Sequence, residues 1–310
     1  MAKEIPINSL RKLFQETGLG AANLIHKIDV GFSNDVYSID DDYILKIGSS
    51  EREGAENMRR DIYFCRFLHS KLPTPMIVHA GISQEGRPFM VYKKIVGENL
   101  YNKWHLLSEG DRELVIKQIC SMLRKINETP YNDYALEFGI DLNISWQNRI
   151  SLEIQANLQK VEQKGALPQN RIDAVKKYVD ANKAVLKEEK IALVYWDVHF
   201  DNILIDGTKI VGILDFERVY IAAIDYVLDL VKRMTKYPKK YASEIAENYV
   251  KPEDYANLLA TYKKYYPELF DFDDLEKRLS LYGVKHSLND IFYYPDAKEP
   301  KDMLDEYLKQ

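Results

Sequence analysis

The chain has 310 residues, with 43 Lys and Arg against 48 Asp and Glu, a net charge of −5. Hydrophobic residues make up 46% and charged residues 29%, the balance of a globular chain that can bury a sizeable core as one two-lobed unit or two linked domains. Net acidity without a lysine-arginine run argues against a nucleic-acid or anionic-membrane partner, and no apolar run approaches the roughly 20 residues that span a bilayer.

The N-terminal MAKEIPINS lacks a signal-peptide core. Cys65 and Cys120 sit in helix-like apolar stretches without zinc-type neighbours, which reads as buried free thiols in a reducing, cytoplasmic setting. Up to about residue 100, short apolar, β-branched runs alternate with Gly, Asn and Asp turns: LIHKIDV (24–30), DVYSI (35–39) and YILKIG (43–48). Residues 51–70 follow as a helix, with Met58, Ile62, Cys65 and Leu68 on one face. Two more strands, MIVHAGI and PFMVYKKIV, complete the expectation of an antiparallel sheet carrying one helix.

Beyond Gly97 helices take over. Residues 114–126 have helical apolar spacing behind a Ser108-x-x-Asp111 start signal. SWQNRISLEIQANLQKVEQ and NRIDAVKKYVDANKAVLKE read as two further amphipathic helices. Strands return in IALVYWDVHFDNILIDGTKIVGILDFE, where Asp206-Gly207 signals a hairpin. After it, ERVYIAAID is expected to lead straight into a helical remainder. The pattern is α+β, with a sheet-rich front and a helical back.

The returning β segment carries the chemistry. Asp197 and Asn202 lie five apart in a loop between apolar runs, and Asp215 follows the strand VGIL. Asp197 can accept a proton from an attacking hydroxyl, while Asn202 and Asp215 offer hard oxygen ligands for Mg²⁺. Phosphoryl transfer needs that division of labour, because the metal neutralises phosphate charge and the protein mainly positions the reactants.

D-x-x-x-x-N followed by I-L-D-F resembles the catalytic and metal loops of the aminoglycoside phosphotransferase and choline kinase superfamily. The family's usual HGD is Tyr195-Trp196-Asp197 here. Gly31-Phe-Ser33-Asn34-Asp-Val-Tyr37 resembles the family's GxSNxxY turn, which implies that Ser33 and Asn34 approach the nucleotide phosphates. Lys46 matches the phosphate-holding lysine, and it lies among Ile44, Leu45 and Ile47, where a buried ammonium needs an anionic partner. Counting back from Leu72-Pro73-Thr-Pro75 puts Asp61 at the partner position, with Glu53 or Glu56 as substitutes. PFMVYKKIVGENL resembles the family's hinge, which implies Tyr92 as gatekeeper and base contacts from Lys93 and Ile95. A bulky gatekeeper can disfavour adenine, so GTP as well as ATP is expected as donor. Ile224-Asp225 to Asp229-Leu230 resembles the segment after the metal loop, where Asp229 is read as structural.

The resemblance implies a bilobal protein-kinase-like fold, with a nucleotide-binding lobe at 1–96 and a catalytic and substrate-binding lobe at 97–310. It implies a Mg²⁺-dependent small-molecule kinase with a hydroxyl acceptor, an aminoglycoside-type antibiotic first among candidates. Macrolides, choline or sugars are alternatives, and the departures at Tyr195, Trp196 and Asp61 admit a nucleotide-binding pseudokinase. From Tyr241 to Gln310 there are 15 acids against 9 bases, which leaves about +1 for the rest of the chain. Asp273 and Asp274 are candidate contacts for a cationic acceptor, with a solvated helix face as the alternative.

Overall fold

The computed structural model describes residues 5–28, 34–187, 189–241 and 247–310. The described residues form two compact units, each discontinuous in sequence. The first comprises Met1–Gln118, Asp197–Val219 and Tyr237–Asp254, and the second Ile119–Trp196, Tyr220–Lys236 and Tyr255–Gln310. No helix among the described residues is long and apolar enough to cross a membrane.

The first unit is built on five antiparallel strands: β1 (Ile25–Lys27), β2 (Asp35–Ile39), β3 (Tyr43–Ile47), β4 (Ile77–Ile82) and β5 (Pro88–Lys93), in the order β1-β2-β3-β5-β4. Two helices flank them, α1 (Ile7–Glu16) and α2 (Arg52–Leu68). The period-two alternation of a strand sorts the side chains. Leu45, Ile47, Phe89 and Val91 pack with Leu10, Leu13 and Phe14 of α1. Ile44, Met90 and Tyr92 point the other way and pack with Met58 of α2. Lys46 shares that second face, opposite Met90 in the register.

The sheet therefore carries two helices rather than one. The apolar spacing of Leu10, Leu13 and Phe14 is helical, but over a ten-residue helix it makes a weak signal until a sheet covers it. The expected helix at 51–70 is α2, and the Ser108-x-x-Asp111 start signal forms at the head of the helix Glu109–Asn127. Ser108 Oγ accepts from the Asp111 amide and donates to its carboxylate.

A second, three-stranded sheet in this unit positions the loops that carry chemistry. It consists of β6 (Glu98–Asn99), β8 (Ile203–Asp206) and β9 (Lys209–Ile213), in the order β6-β8-β9; β7 (Ile191–Tyr195) belongs to the second unit. The Asp206-Gly207 hairpin joins β8 to β9, with Gly207 at φ +58 as the turn requires. Gly97 lies where the chain leaves the first sheet. A Cβ there would stand 2.7 Å from Val211 Cγ2 and 3.3 Å from the Ile205 carbonyl, so only glycine permits the approach.

The second unit is mostly helical. The helix Trp146–Gln163 buries Ile150, Ile154, Leu158 and Val161 at helical spacing and packs on the helix Leu275–Tyr293. That long helix in turn packs on Lys298–Tyr307, with Gly283 so close to the Tyr307 ring that a Cβ would overlap it. One expectation fails here. ERVYIAAID does not run straight into a helix; Val219–Ala223 forms a strand that pairs with Ile191–Tyr195, and the helix begins only at Val227. The run V-Y-I-A-A is short and apolar, and a buried strand to pair with decides its conformation.

Candidate active site

The site in the first unit grows from one buried lysine. Lys46 lies in the middle of β3, and its face of the sheet meets α2. Its ammonium stands 2.7 Å from Asp61 Oδ2, 3.0 Å from Glu217 Oε1 and 3.3 Å from Asp215 Oδ1. Burial alone would depress the lysine pKa, but Asp215, Asp61 and Glu217 outweigh it and hold the pKa well above its ordinary value. Lys46 is therefore a cation at every working pH. The acid that reaches it from α2 is Asp61; Glu56 is engaged instead with Arg60 one turn on.

Asp61 has a second task. Its Oδ1 accepts from the Phe216 amide at 2.9 Å, so the carboxylate that holds the lysine also pins the backbone beside Asp215. Asp215 itself takes a left-handed conformation, φ +60 and ψ 71, unusual for a residue with a Cβ. Its carboxylate is about one-third exposed, whereas those of Asp61 and Glu217 are almost fully buried.

The loop that follows Asp197 is braced from several sides. Asn202 Nδ2 donates to the Asp197 carbonyl at 3.0 Å, and the Asn202 carbonyl accepts from the Leu214 amide at 2.8 Å. Asn99 Nδ2 donates to the Asp201 carbonyl. With its amide nitrogen committed, Asn202 has Oδ1 as the atom it can offer a cation. Asp197 is half-buried, as a general base that must meet a substrate hydroxyl should be. Burial pushes the His199 imidazole down to about 4, which keeps it neutral near pH 7, and raises the Asp201 carboxyl to about 6.

Ser33 lies outside the described residues, but Asn34 is within them, and its Nδ2 donates to Glu217 Oε1 at 2.5 Å. Tyr92 is buried on the Lys46 face, and burial raises its phenol pKa well above the ordinary value. Lys93 ends β5, its amide bonded to the Met76 carbonyl, and Ile95 packs over Gly212 of β9. Asp61, Lys46, Asp215 and Asn34 thus converge in one place, joined by Glu217, which sequence reasoning missed. Its signal was an acid two residues past Asp215, between Phe216 and Arg218.

Asp273 and Asp274 belong to the second unit, exposed at the start of the helix Leu275–Tyr293. Acids around them already have lysine partners. Asp271 pairs with Lys190 at 2.8 Å, Glu276 with Lys232 at 2.6 Å, and Asp274 with Lys277 at 3.3 Å.

The donor set suits a divalent cation. Oxygens of Asp61, Asp215 and Glu217 lie within 4.8 Å of one another, three anions against one ammonium, and hard carboxylate oxygen is the ligand Mg²⁺ prefers. Residues 25–261 match the phosphotransferase enzyme family. The chain belongs to this family. It is a phosphotransferase that acts on a hydroxyl group.

A comparison with curated proteins finds no match for this phosphotransferase. Among solved structures it is similar to the GDP complex of an aminoglycoside 2'-phosphotransferase-IIIa, 17% identical, with a TM-score of 0.70 over 99% of both chains. The ADP-bound aminoglycoside phosphotransferase APH(2'')-Ib gives 17% identity and a TM-score of 0.67 over 98% of this chain and 97% of that one. A thermostable APH(4)-Ia mutant, with ADP and hygromycin B, gives 14% and 0.65 over 97% and 98%. At such identities the likeness is one of fold, and that fold is protein-kinase-like: an antiparallel N-terminal sheet followed by a mostly helical remainder.

Proposed function

We propose that this phosphotransferase transfers the γ-phosphate of ATP or GTP to a hydroxyl of a small acceptor. The observation that carries the reading is the buried lysine among three carboxylates beside a braced Asp-Asn loop. In this reading residues 1–96 form the nucleotide lobe and 97–310 the catalytic and acceptor lobe. Lys46 holds the α/β-phosphates, Asp61 keeps Lys46 charged and in place, and Ser33 and Asn34 line the phosphates. Tyr92, Lys93 and Ile95 border the base. Asp197 orients the acceptor hydroxyl and takes its proton, and the Asn202 amide fixes the backbone of that base. Asn202 Oδ1 and Asp215 would hold Mg²⁺, whose chemistry is to neutralise the charge of the transferring phosphoryl group.

The test is Asp197→Ala, assayed with a panel of acceptors. Turnover should fall at least about 10²-fold, the low end for a lost general base, with nucleotide affinity retained. Unchanged turnover removes Asp197 from the chemistry. Tyr92 favours GTP use, and a kcat/KM for ATP well above that for GTP would reject this preference.

For the acceptor, the favoured class is a polycationic aminoglycoside, as an antibiotic-resistance activity. Its supports are the net acidity of the chain after Tyr241 and neighbours solved with kanamycin, streptomycin and gentamicin. Asp273 and Asp274 are the proposed contacts. Changing both to Asn should raise the acceptor KM without altering that for nucleotide, and an unmoved acceptor KM returns them to solvent.

A further inference from the structure

A transfer site needs its base fixed before the reactants arrive, because a misplacement of about 1 Å can lower the rate about 10²-fold. The loop from Asp197 to Asn202 has little structure of its own with which to do this. Its regular part is one 3₁₀ turn, Phe200–Asn202, between an irregular stretch and the start of β8. So short a turn has poor hydrogen-bond geometry and supplies no helical donors to its last carbonyls. Groups from outside must hold it.

Asn99 is such a group. It ends β6 and is the N-cap of the short helix Leu100–Trp104. Its Oδ1 accepts from the Tyr101 amide at 2.9 Å and from the Asn102 amide at 3.4 Å, which satisfies the head of that helix. Its Nδ2 donates to the Asp201 carbonyl at 2.9 Å, and the side chain also hydrogen-bonds the Asp201 carboxyl. The helix it caps packs on the same turn. The Trp104 ring lies 4.5 Å from that of Phe200, and the Tyr101 ring lies 5.2 Å from His199 and 5.5 Å from Phe200. Tyr101 is itself anchored, its hydroxyl donating to the Pro238 carbonyl at 3.1 Å. All of these residues belong to the first unit.

The bond to Asp201 lands one residue before Asn202. Asn202 in turn holds the Asp197 carbonyl through its side chain and the Leu214 amide through its own carbonyl. The helix cap is thereby joined to the residue that fixes the base on one side and the strand leading to Asp215 on the other. Capping alone does not call for asparagine, since serine and aspartate cap equally well. Asparagine differs from aspartate in carrying N–H donors beside its acceptor, and from serine in reach. The helix takes the acceptor and the loop takes the donor.

We propose that Asn99 is a positioning residue for the transfer step: one side chain caps the helix Leu100–Trp104 and fastens the catalytic loop to it, so that the helix sets where Asp197 stands. Asn99 acts through Asp201 and Asn202 rather than on the reacting atoms. The proposal rests on the reading of Asp197 as the base given above.

The two tasks separate by substitution. Asn99→Ser keeps an oxygen for the cap and loses the amide donor, whereas Asn99→Ala loses both. Hydrogen exchange of the whole chain, read by mass spectrometry, should show residues 199–204 exchanging at least about fivefold faster in both variants. The Tm of Asn99→Ala should lie about 2 °C below that of Asn99→Ser, the effect of the lost cap. Turnover is measured with Mg²⁺ and ATP or GTP on a panel of kanamycin, gentamicin, a macrolide, choline and a sugar, using the acceptor that the wild type phosphorylates fastest. In both variants kcat should fall about tenfold while the nucleotide KM stays within about twofold.

A wild-type kcat in Asn99→Ser would reduce Asn99 to a cap and overturn the proposal. Unchanged exchange of residues 199–204 would do the same, as would a nucleotide KM that rises in step with the fall in kcat. Should Asn99→Ala not fold, Asn99→Ser decides alone, because its cap is intact. A wild type that phosphorylates nothing, or an Asp197→Ala variant as active as the wild type, refutes the reading of Asp197 on which the proposal stands. An active wild type matched by Asn99→Ser refutes the positioning role and leaves that reading in place.

Discussion

Both units bury charged side chains, and they do so differently. In the second unit the charges are matched. Asp225 receives Arg278 through two bonds, at 2.7 and 3.0 Å, and Tyr282 hydroxyl completes it. Asp229 receives Arg233 at 3.1 Å and faces His286 Nε2 at 3.2 Å. His286 and Arg233 in turn lie over the ring of Trp196, the former stacked at 4.7 Å and 13°. Burial raises the pKa of both aspartates, and in each case an arginine opposes the shift. In the first unit Lys46 faces three carboxylates. Matched charge is what a fold needs to survive desolvation; unmatched charge of one sign is what a fold keeps when something of the opposite sign is to bind.

The comparison can be broken from either side. The largest effect is expected in the matched cluster. Arg278→Met leaves Asp225 buried without its cation and should cost about 3–5 kcal/mol of stability, measured by denaturant unfolding. If stability is unchanged, the Asp225 pair does not hold the second unit together.

The unmatched cluster should respond in the opposite sense. Asp215→Asn removes one of the crowded negative charges, so turnover should fall about 10²–10³-fold while the Tm holds or rises. A large loss of Tm would show that Asp215 is structural and that the charge excess has no functional meaning. Between these, Asp197→Ala tests the loop that adjoins both units in sequence, as described above.

The smallest effect is a pH dependence. His199 is held at about 4 by burial, against an ordinary 6.5, so between those values the unfolded chain binds the extra proton. The contribution of His199 to stability therefore rises with pH across that window and is flat above it, a penalty of about 2 kcal/mol at pH 5 relative to pH 7. Asp201, raised to about 6, works in the opposite sense but is common to both proteins compared. His199→Gln should thus show a smaller drop in Tm from pH 7 to pH 5 than the wild type. An equal drop would mean that His199 is not held neutral by its surroundings.

Legibility in the sequence followed the range of the interactions. α2 and the hairpin at Asp206-Gly207 were readable because helical spacing and turn chemistry act over a few residues. α1 was missed because ten residues with three apolar positions commit to a helix only once a sheet covers them. Val219–Ala223 was missed because its partner strand lies at Ile191–Tyr195. Lys46 announced its need for an anion, yet the choice between Asp61, Glu53 and Glu56 was made by where α2 crosses the sheet. The acids near Asp273 looked like a bare cluster, whereas Lys190 and Lys232, distant in the chain, fold back onto Asp271 and Glu276.

The sequence by itself determined the family, the two-lobed α+β pattern, and the identity of the lysine, base and metal-ligand candidates, because these rest on residue types at short, fixed spacing. Only the tertiary structure decided which charges meet. It placed Glu217 between Asn34 and Lys46, and matched Asp225 with Arg278, because Coulomb energy and desolvation depend on distance through space and not along the chain.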